Sequence, residues 1–242
     1  MLKKMVEKLK NRSGNLYGEP ITIAFLGDSV TQGCFEIYHY DEKSLQTVFD
    51  SENSFAYYVR RILAVLFPNV AINVINAGIS GDNAVSGSER IDRCVLKFSP
   101  DIVVVGYGLN DCDFSDDALT RYLSALNVIF KKINKSGAEG IYLTPNRMNS
   151  RISPLLEKTD LMLSVAERCK CLQEGGYLAK FCNEGKKIAE INKTAVCDIY
   201  TYWDKIEESG ANTTELLANK INHPIKQMNW LTAEKIVETI LV

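Results

Sequence analysis

Short apolar runs rich in β-branched residues alternate with amphipathic stretches along most of the chain. Runs of this kind have no polar face, which is typical of strands buried on both sides of a parallel sheet. Most end at a glycine, a proline or a polar turn residue. The strands that this pattern predicts are Ile21–Leu26, Val70–Ala77, Ile102–Gly106, Gly140–Thr144 and Ala195–Ile199.

Apolar positions three and four residues apart predict helices between these strands, at residues 54–67, 88–98, 116–136, 177–193 and roughly 231–241. Strands that alternate with helices, joined by right-handed crossovers, give a three-layer α/β/α sandwich around a five-stranded parallel sheet. No spacer-like stretch divides the chain, so residues 1–242 are predicted to form one domain. Residues 1–19 would be a helical extension at its N-terminus.

Two segments fit this alternation poorly. The polar and aromatic insertion Cys34–Asn53 follows the first strand, and we expect a loop that shapes a ligand site. The stretch Arg147–Gly176 holds either a helix over Asp160–Leu172 or a flexible lid, and the sequence leaves both open.

Charge and cysteine usage exclude several classes of protein. A formal net charge of -2 and a pI near 5.8 argue against a nucleic-acid partner. The Lys- and Glu-rich start of the chain contains no apolar run, which predicts a cytoplasmic protein without a signal peptide or membrane insertion. Cys169, Cys171 and Cys182 lack the spacing of a metal site, so no metal is expected and the seven cysteines are interpreted as reduced structural thiols.

Ser29 directly follows the first predicted strand, in the segment Gly27–Gly33. Ligand sites of parallel sheets lie beyond the carboxyl ends of the strands, so its hydroxyl would project into such a site. Backbone N–H groups of a helix that begins here would favour negative charge beside it. The alternative is that Asp28 or Ser29 only caps that helix. Position 31 is Thr, so this is not the Gly-x-Ser-x-Gly elbow of α/β-hydrolases.

A serine nucleophile needs a base, and the chain has only two histidines. His223 precedes the last predicted helix, where a loop can return to the strand ends, so we predict that His223 is the base. His39 lies between Tyr38 and Tyr40 in the polar insertion, and either contacts substrate or has no role.

Two further turns at strand ends offer hydrogen-bond donors for an oxyanion. Gly81 follows the second strand in a glycine-containing turn, where its backbone N–H can point outward. Asn110 follows the third strand and offers a side-chain amide.

These blocks, in this order, resemble those of the SGNH (GDSL-type) hydrolases: Gly27–Ser29, Gly78–Asp82, Gly108–Asp111 and His223–Pro224. The resemblance implies a flavodoxin-like α/β/α fold and serine esterase activity that needs no cofactor. Ser29 would be the nucleophile and His223 the general base. The oxyanion hole would consist of the Ser29 and Gly81 N–H groups and the Asn110 side chain.

One position departs from the family pattern. An aspartate usually precedes the histidine by three residues, and here that residue is Lys220, which cannot accept the imidazole proton. A backbone carbonyl or another carboxylate, with Asp198 and Asp204 as candidates, would then orient His223. A Ser–His dyad is the preferred hypothesis, with activity rising around an ordinary imidazole pKa of about 6.5.

The resemblance leaves the substrate open among esters of small-molecule and saccharide alcohols. Tyr38 and Tyr40 would suit stacking on a sugar, so O-deacetylation of a saccharide is favoured, although both tyrosines could simply pack the loop. The alternatives are a lipase or lysophospholipase-type acylhydrolase and a non-catalytic ligand-binding descendant, which Lys220 suggests. A phosphate-binding flavodoxin-like protein is disfavoured because the chain has neither Gly-x-Gly-x-x-Gly nor Gly-Lys-Ser/Thr. Nothing in the sequence indicates an oligomeric state.

Overall fold

A computed structural model describes residues 2–15, 17–41, 44–156 and 159–242, without the side chains of residues 38–41, 44 and 45. The strands are β1 (Ile21–Gly27), β2 (Cys34–Asp41), β3 (Ser44–Phe49), β4 (Ile72–Gly78), β5 (Ile102–Gly106), β6 (Glu139–Leu143) and β7 (Ala195–Cys197). The α-helices are α1 (Lys3–Ser13), α2 (Ser29–Gln32), α3 (Phe55–Leu66), α4 (Ala84–Cys94), α5 (Asp116–Ser136), α6 (Asp160–Glu174), α7 (Tyr177–Ile191), α8 (Ile199–Glu208) and α9 (Lys226–Leu241).

The predicted three-layer α/β/α sandwich is confirmed. All five predicted strands form one parallel sheet in the order β4-β1-β5-β6-β7. Helices α1, α3 and α9 pack together on one side of the sheet, and α4, α5 and α7 pack together on the other. Because both faces are covered, the side chains of β1 and β5 are buried almost throughout, as their apolar sequences predict.

The register brings the ends of three strands level with each other. Gly27 at the end of β1 is paired with Gly78 of β4 on one side and with Gly106 of β5 on the other. The loops that follow these strands therefore leave the sheet at the same edge, where the ligand sites of open α/β sheets lie.

The polar insertion differs from the expected loop, because β2 and β3 form an antiparallel hairpin outside the main sheet. Its base is closed by a 2.9 Å hydrogen bond from the Asp50 N–H to the Gly33 carbonyl. An ion pair of 2.5 Å joins Asp50 to Lys226, so the base of the hairpin is tied to the start of α9.

Two other boundaries differ because side-chain caps are weak signals in a sequence. Helix α4 begins at Ala84, before the predicted residue 88, because the Asn83 side chain accepts the Ser86 N–H. Strand β7 is shorter than predicted because Asp198 caps α8, a helix that the sequence analysis missed. Of the two alternatives for residues 147–176, the helix is present as α6.

Helix α1 occupies the N-terminal extension and packs on α9 through the buried side chains of Met5 and Leu9. Within the described ranges, none of the helices has the length and apolar character needed to cross a bilayer.

Candidate active site

Ser29 begins a single helical turn at the end of β1. The Asp28 side chain caps this turn by accepting the Val30 N–H at 3.0 Å, so the capping role considered for Asp28 is present. Gly33 ends the turn with a φ of +94°, a conformation that favours glycine. The Asp28 cap and the conformation of Gly33 together fix the backbone at Ser29. The side chain of Ser29 then lies at the carboxyl edge of the sheet.

The structure brings Ser29 and His223 together across 194 residues of chain. The Oγ of Ser29 lies 2.9 Å from Nε2 of His223, within hydrogen-bond distance. His223 is carried by the loop that precedes α9, which returns to the end of β1 as predicted. This is the arrangement that a nucleophile and its general base require.

The imidazole of His223 is 2% exposed. Burial disfavours the charged form and lowers the pKa of His223 to about 4, while the Phe35 backbone has a smaller effect in the opposite direction. The ring is therefore neutral at pH 6 and above, ready to accept a proton. The expected ordinary pKa of about 6.5 is wrong, because the sequence could not show how completely the ring is buried.

Neither candidate acid orients His223. Asp198 caps α8 and pairs with Lys186 at 2.8 Å, and Asp204 pairs with Arg147. Within the part of the chain that the structure describes, Nδ1 of His223 has no partner with full hydrogen-bond geometry. The backbone group that acts on the ring is that of Phe35, whose weaker hydrogen bond favours the protonated form, in line with the backbone alternative considered from the sequence. The expectation for both carboxylates is thus corrected, since each is already engaged by a cation or by a helix N-terminus.

Two of the three predicted oxyanion donors, Gly81 and Asn110, lie on loops that are joined by a hydrogen bond. The side-chain amide of Asn110 donates to the Asp82 carbonyl at 2.8 Å, which holds Asn110 against the residue that follows Gly81. Gly81 is exposed and has a φ of +77°, a conformation that a side chain would strain. An amide nitrogen carries two hydrogens, so Asn110 keeps a second N–H for a ligand.

Backbone contacts join the Ser29 turn to the loop that carries Gly81. The Ile79 N–H donates to the Gly27 carbonyl at 3.1 Å, and the Ser80 N–H donates to the Gln32 side chain at 2.7 Å. A Cβ on Gly78 would lie 2.3 Å from the backbone nitrogen of Gln32, so only glycine allows this approach.

A buried cluster that the sequence analysis missed lies beneath these loops. Arg90 pairs with Asp82 at 2.5 Å and donates to the carbonyl oxygens of Gly27 and Ala77 at 3.0 and 2.7 Å. The Tyr107 hydroxyl completes the cluster at 2.7 Å from Asp82. A signal existed in the sequence, because Arg90 falls at helical spacing on the buried stripe of α4.

Two further carboxyl groups carry perturbed pKa values. Burial raises the pKa of Asp28 to about 7, with added repulsion from Asp111 and Asp82. Burial also raises the pKa of Asp111 to about 7, with repulsion from Asp82. The Oδ1 of Asp111 accepts the Ala84 N–H at 2.9 Å, whereas its buried Oδ2 has no partner among the described residues.

A cleft of about 410 Å³ is lined in part by Asn110 and Asp111, but not by Ser29 or His223. Its wall is polar and charged, and includes Asn83, Glu89, Arg121 and Arg168. Of the other predicted contacts, the side chains of Tyr38, His39 and Tyr40 lie outside the described residues.

The cysteines considered as metal ligands do not converge. Cys169 and Cys182 are buried, Cys171 is exposed, and burial raises the pKa of Cys169 to about 11. Across residues 2–15, 17–41, 44–156 and 159–242, no three His, Cys, Asp or Glu side chains form a group that could hold a metal ion.

Residues 25–230 match the GDSL-like lipase/acylhydrolase family. A lipase/acylhydrolase from Enterococcus faecalis is 20% identical, with a TM-score of 0.67 over 91% of this chain and 95% of that one. An acetylxylan esterase from Geobacillus stearothermophilus is 19% identical, with a TM-score of 0.66 over 92% of this chain and 95% of that one. A two-domain esterase active on acetylated mannans is 20% identical, with a TM-score of 0.66 over 98% of this chain and 52% of that one. No curated protein sequence matches the chain significantly.

Proposed function

The chain belongs to the GDSL-like lipase/acylhydrolase family and is a carboxylic ester hydrolase, and we propose that it acts through a Ser29–His223 dyad. The observation that carries the proposal is the 2.9 Å contact between Oγ of Ser29 and Nε2 of a neutral, buried His223. A neutral imidazole in this position can accept the serine proton without first losing one of its own.

In the first half-reaction, Oγ of Ser29 attacks the ester carbonyl carbon while Nε2 of His223 takes the hydroxyl proton. The carbonyl π electrons move onto oxygen and give a tetrahedral oxyanion. When the intermediate collapses, the C–O bond to the alcohol breaks, and the alcohol oxygen leaves with the proton held by His223. The product is an ester of Ser29.

In the second half-reaction, water replaces the alcohol. His223 takes a proton from the water as its oxygen attacks the acyl carbon, and then returns that proton to Oγ as the bond to Ser29 breaks. The carboxylic acid is released and the dyad is restored.

We assign stabilisation of the oxyanion to three donors: the backbone N–H groups of Ser29 and Gly81 and the second amide N–H of Asn110. The bond from Asn110 to the Asp82 carbonyl supports this assignment, because it fixes the amide next to Gly81 before substrate binds. Removing one such donor typically slows turnover by about 100- to 1,000-fold.

For the substrate, we propose an ester of a small polar or saccharide alcohol, with O-deacetylation as the favoured reaction. The cleft lined by the proposed oxyanion donor Asn110 supports this choice, because its charged and amide side chains suit hydroxyl groups. Two similar structures are esterases of acetylated polysaccharides, xylan in one case and mannan in the other. A cytoplasmic location remains a prediction from the sequence.

The test is hydrolysis of p-nitrophenyl acetate and of acetylated xylo- and manno-oligosaccharides by Ser29→Ala, His223→Ala and, as a control, Ser209→Ala. The Ser209 hydroxyl, at the end of α8, donates to the backbone carbonyl of Ile206 at 2.7 Å. The two dyad variants should lose turnover by about 10⁴-fold or more, and the control should lose none. A wild-type protein that reacts with neither esters nor a fluorophosphonate would instead be the non-catalytic descendant. Preference for long-chain p-nitrophenyl esters would favour a lipase.

A further inference from the structure

The loop that carries His223 is closed on itself by main-chain contacts. Leu217 and Pro224 form an isolated antiparallel bridge. Inside it, the Ala218 N–H donates to the His223 carbonyl at 2.7 Å, and outside it the Ile225 N–H donates to the Leu216 carbonyl at 2.9 Å. These bonds fix the carbonyl side of His223 and leave its N–H side facing the interior of the loop.

A single side-chain oxygen fills that interior. The Oδ1 of Asn219 accepts the N–H groups of Ile221, Asn222 and His223, at 3.0, 2.9 and 3.0 Å. The Nδ2 of the same side chain donates to the Asn222 side chain at 2.9 Å. Asn219 is 8% exposed, so water cannot easily replace these bonds.

Lys220 occupies the position of the usual acid, but its side chain is directed to Glu215. Lys220 has a φ of +59°, and its ammonium group lies 3.1 Å from both the backbone carbonyl and a carboxylate oxygen of Glu215. A side chain at position 220 therefore leaves the loop on the side of Glu215, away from the imidazole.

The imidazole is consequently held from its backbone side. Among the described residues, Nδ1 of the ring has no partner with full hydrogen-bond geometry, and the Phe35 backbone interacts with the ring only weakly. The main-chain N–H and carbonyl of His223, by contrast, are both bonded within the loop. In a triad, the acid fixes both the ring orientation and the tautomer. Here the orientation of the ring depends mainly on where the His223 main chain is held.

We propose that Asn219 is a positioning residue of the dyad, and that its Oδ1 orients the imidazole by fixing the backbone from which the ring extends. This inference rests on the proposed Ser29–His223 mechanism. It concerns position only: Asn219 contacts neither substrate nor the imidazole ring, and no proton passes through it.

Two outer contacts allow a variant of Asn219 to keep its fold. The Asn146 side chain donates to the Asn222 carbonyl at 2.9 Å, and the Asn149 N–H donates to the Ile221 carbonyl at 2.8 Å. Both hold the loop to the segment that follows β6 and neither depends on Asn219. We therefore expect local loosening around His223 and retention of the global fold.

The test compares Asn219→Ala with Asn219→Asp by steady-state kinetics on p-nitrophenyl acetate between pH 3.5 and 8. Asp keeps an oxygen that can accept the three N–H groups, so its kcat should stay within about fivefold of wild type. Ala should lower kcat about 100-fold, because a small displacement of a base has that effect, while KM changes little. In the Ala variant the acid limb of kcat should also move from near pH 4 towards 6.5, because a loosened imidazole gains water.

Asn192→Ala is the matched control. Asn192 is also 8% exposed, and its Nδ2 makes two internal bonds, but it lies at the end of α7. Its substitution should lower thermal stability and leave the acid limb in place. Lys220→Asp should raise kcat less than about twofold, since position 220 faces Glu215.

Several results would overturn the inference. They are an Ala variant with the kcat and acid limb of wild type, equal losses in the Ala and Asp variants, or a tenfold gain in Lys220→Asp. If Asn219→Ala does not fold, the Asp variant and Lys220→Asp still decide the question. Failure of the mechanism itself would look different, because Ser29→Ala would then remain active.

Discussion

The guanidinium of Arg90 donates a 3.0 Å hydrogen bond to the carbonyl of Gly27, two residues before Ser29. The same side chain donates to Ala77, in the strand that leads to Gly81. One buried cation thus holds the ends of the two strands whose loops carry the proposed nucleophile and one proposed oxyanion donor. The nearby Asp82 compensates its charge.

We predict that Arg90→Met destabilises the protein by about 3–5 kcal/mol, because it leaves the Asp82 carboxylate buried and unpaired. Urea unfolding followed by circular dichroism measures the change. Adding Asp82→Asn should recover part of the loss, since the remaining group is then neutral. A loss below about 1 kcal/mol in the single variant would show that the cluster contributes little to stability.

The depressed pKa of His223 predicts an unusual pH profile. Because the imidazole is neutral above a pKa of about 4, kcat/KM should already be near its plateau at pH 6 and should fall only as the pH approaches 4. Initial rates in overlapping buffers, on an ester with slow uncatalysed hydrolysis, give this pH profile. An acid limb centred at pH 6.5 would mean that the ring is hydrated in solution.

The raised pKa of Asp28 predicts that the stability of the protein falls as the pH rises, whereas its activity rises. Its folded pKa is raised to about 7 from 3.8, so the folded state holds a proton that the unfolded state releases between these values. Stability is therefore lost as the pH rises from about 4 to 7. Asn keeps the oxygen that caps α2 and carries no charge. Asp28→Asn should thus be more stable than wild type at pH 8 by about 2 kcal/mol or more, and the gap should shrink at pH 4.

Differential scanning calorimetry at pH 4, 6 and 8 tests this, with Asp92→Asn as the control. Asp92 is an exposed carboxylate paired with Lys132 on the surface, and its removal should change stability by less than about 1 kcal/mol at any of these pH values. A pH-independent difference between Asp28→Asn and wild type would contradict the raised pKa.

Asp198 and Asp204 provide a prediction about the missing acid. Asp198→Asn and Asp204→Asn should each keep kcat within about threefold of wild type, because their carboxylates bind Lys186 and Arg147 rather than His223. Loss of a functional triad acid would instead lower kcat by about 10⁴-fold. Steady-state assays of both variants, run beside His223→Ala, separate these outcomes. A 10³-fold loss of kcat in either variant would mean that its aspartate does orient His223.

The sheet could be predicted from the sequence because its strands are buried on both faces, so each appears as an apolar run such as Ile102–Gly106. The meeting of Ser29 and His223 could also be predicted, since Ser29 follows β1 and His223 precedes the last helix, α9. Helix α8 and the early start of α4 were missed, because each depends on one capping side chain, Asp198 or Asn83.

The group that holds His223 could not be predicted for a different reason. Sequence reasoning named the kinds of partner that the imidazole needs, a backbone carbonyl or a carboxylate such as Asp198 or Asp204, but could not locate the group. Asn219 acts on main-chain N–H groups inside a loop whose closure no local pattern reveals. The predicted pKa of His223 was wrong for the same reason, since burial of the ring depends on contacts that are distant in sequence.

The β2–β3 hairpin has a consequence for how substrate preference can change. Its base is clamped by the Gly33–Asp50 hydrogen bond and by the ion pair between Asp50 and Lys226. Beyond that clamp, the described residues of β2 and β3 pair with each other and not with the main sheet. The part of the hairpin beyond Phe35, whose backbone acts on His223, can therefore be lengthened or replaced by that of a relative while Ser29 and His223 keep their positions.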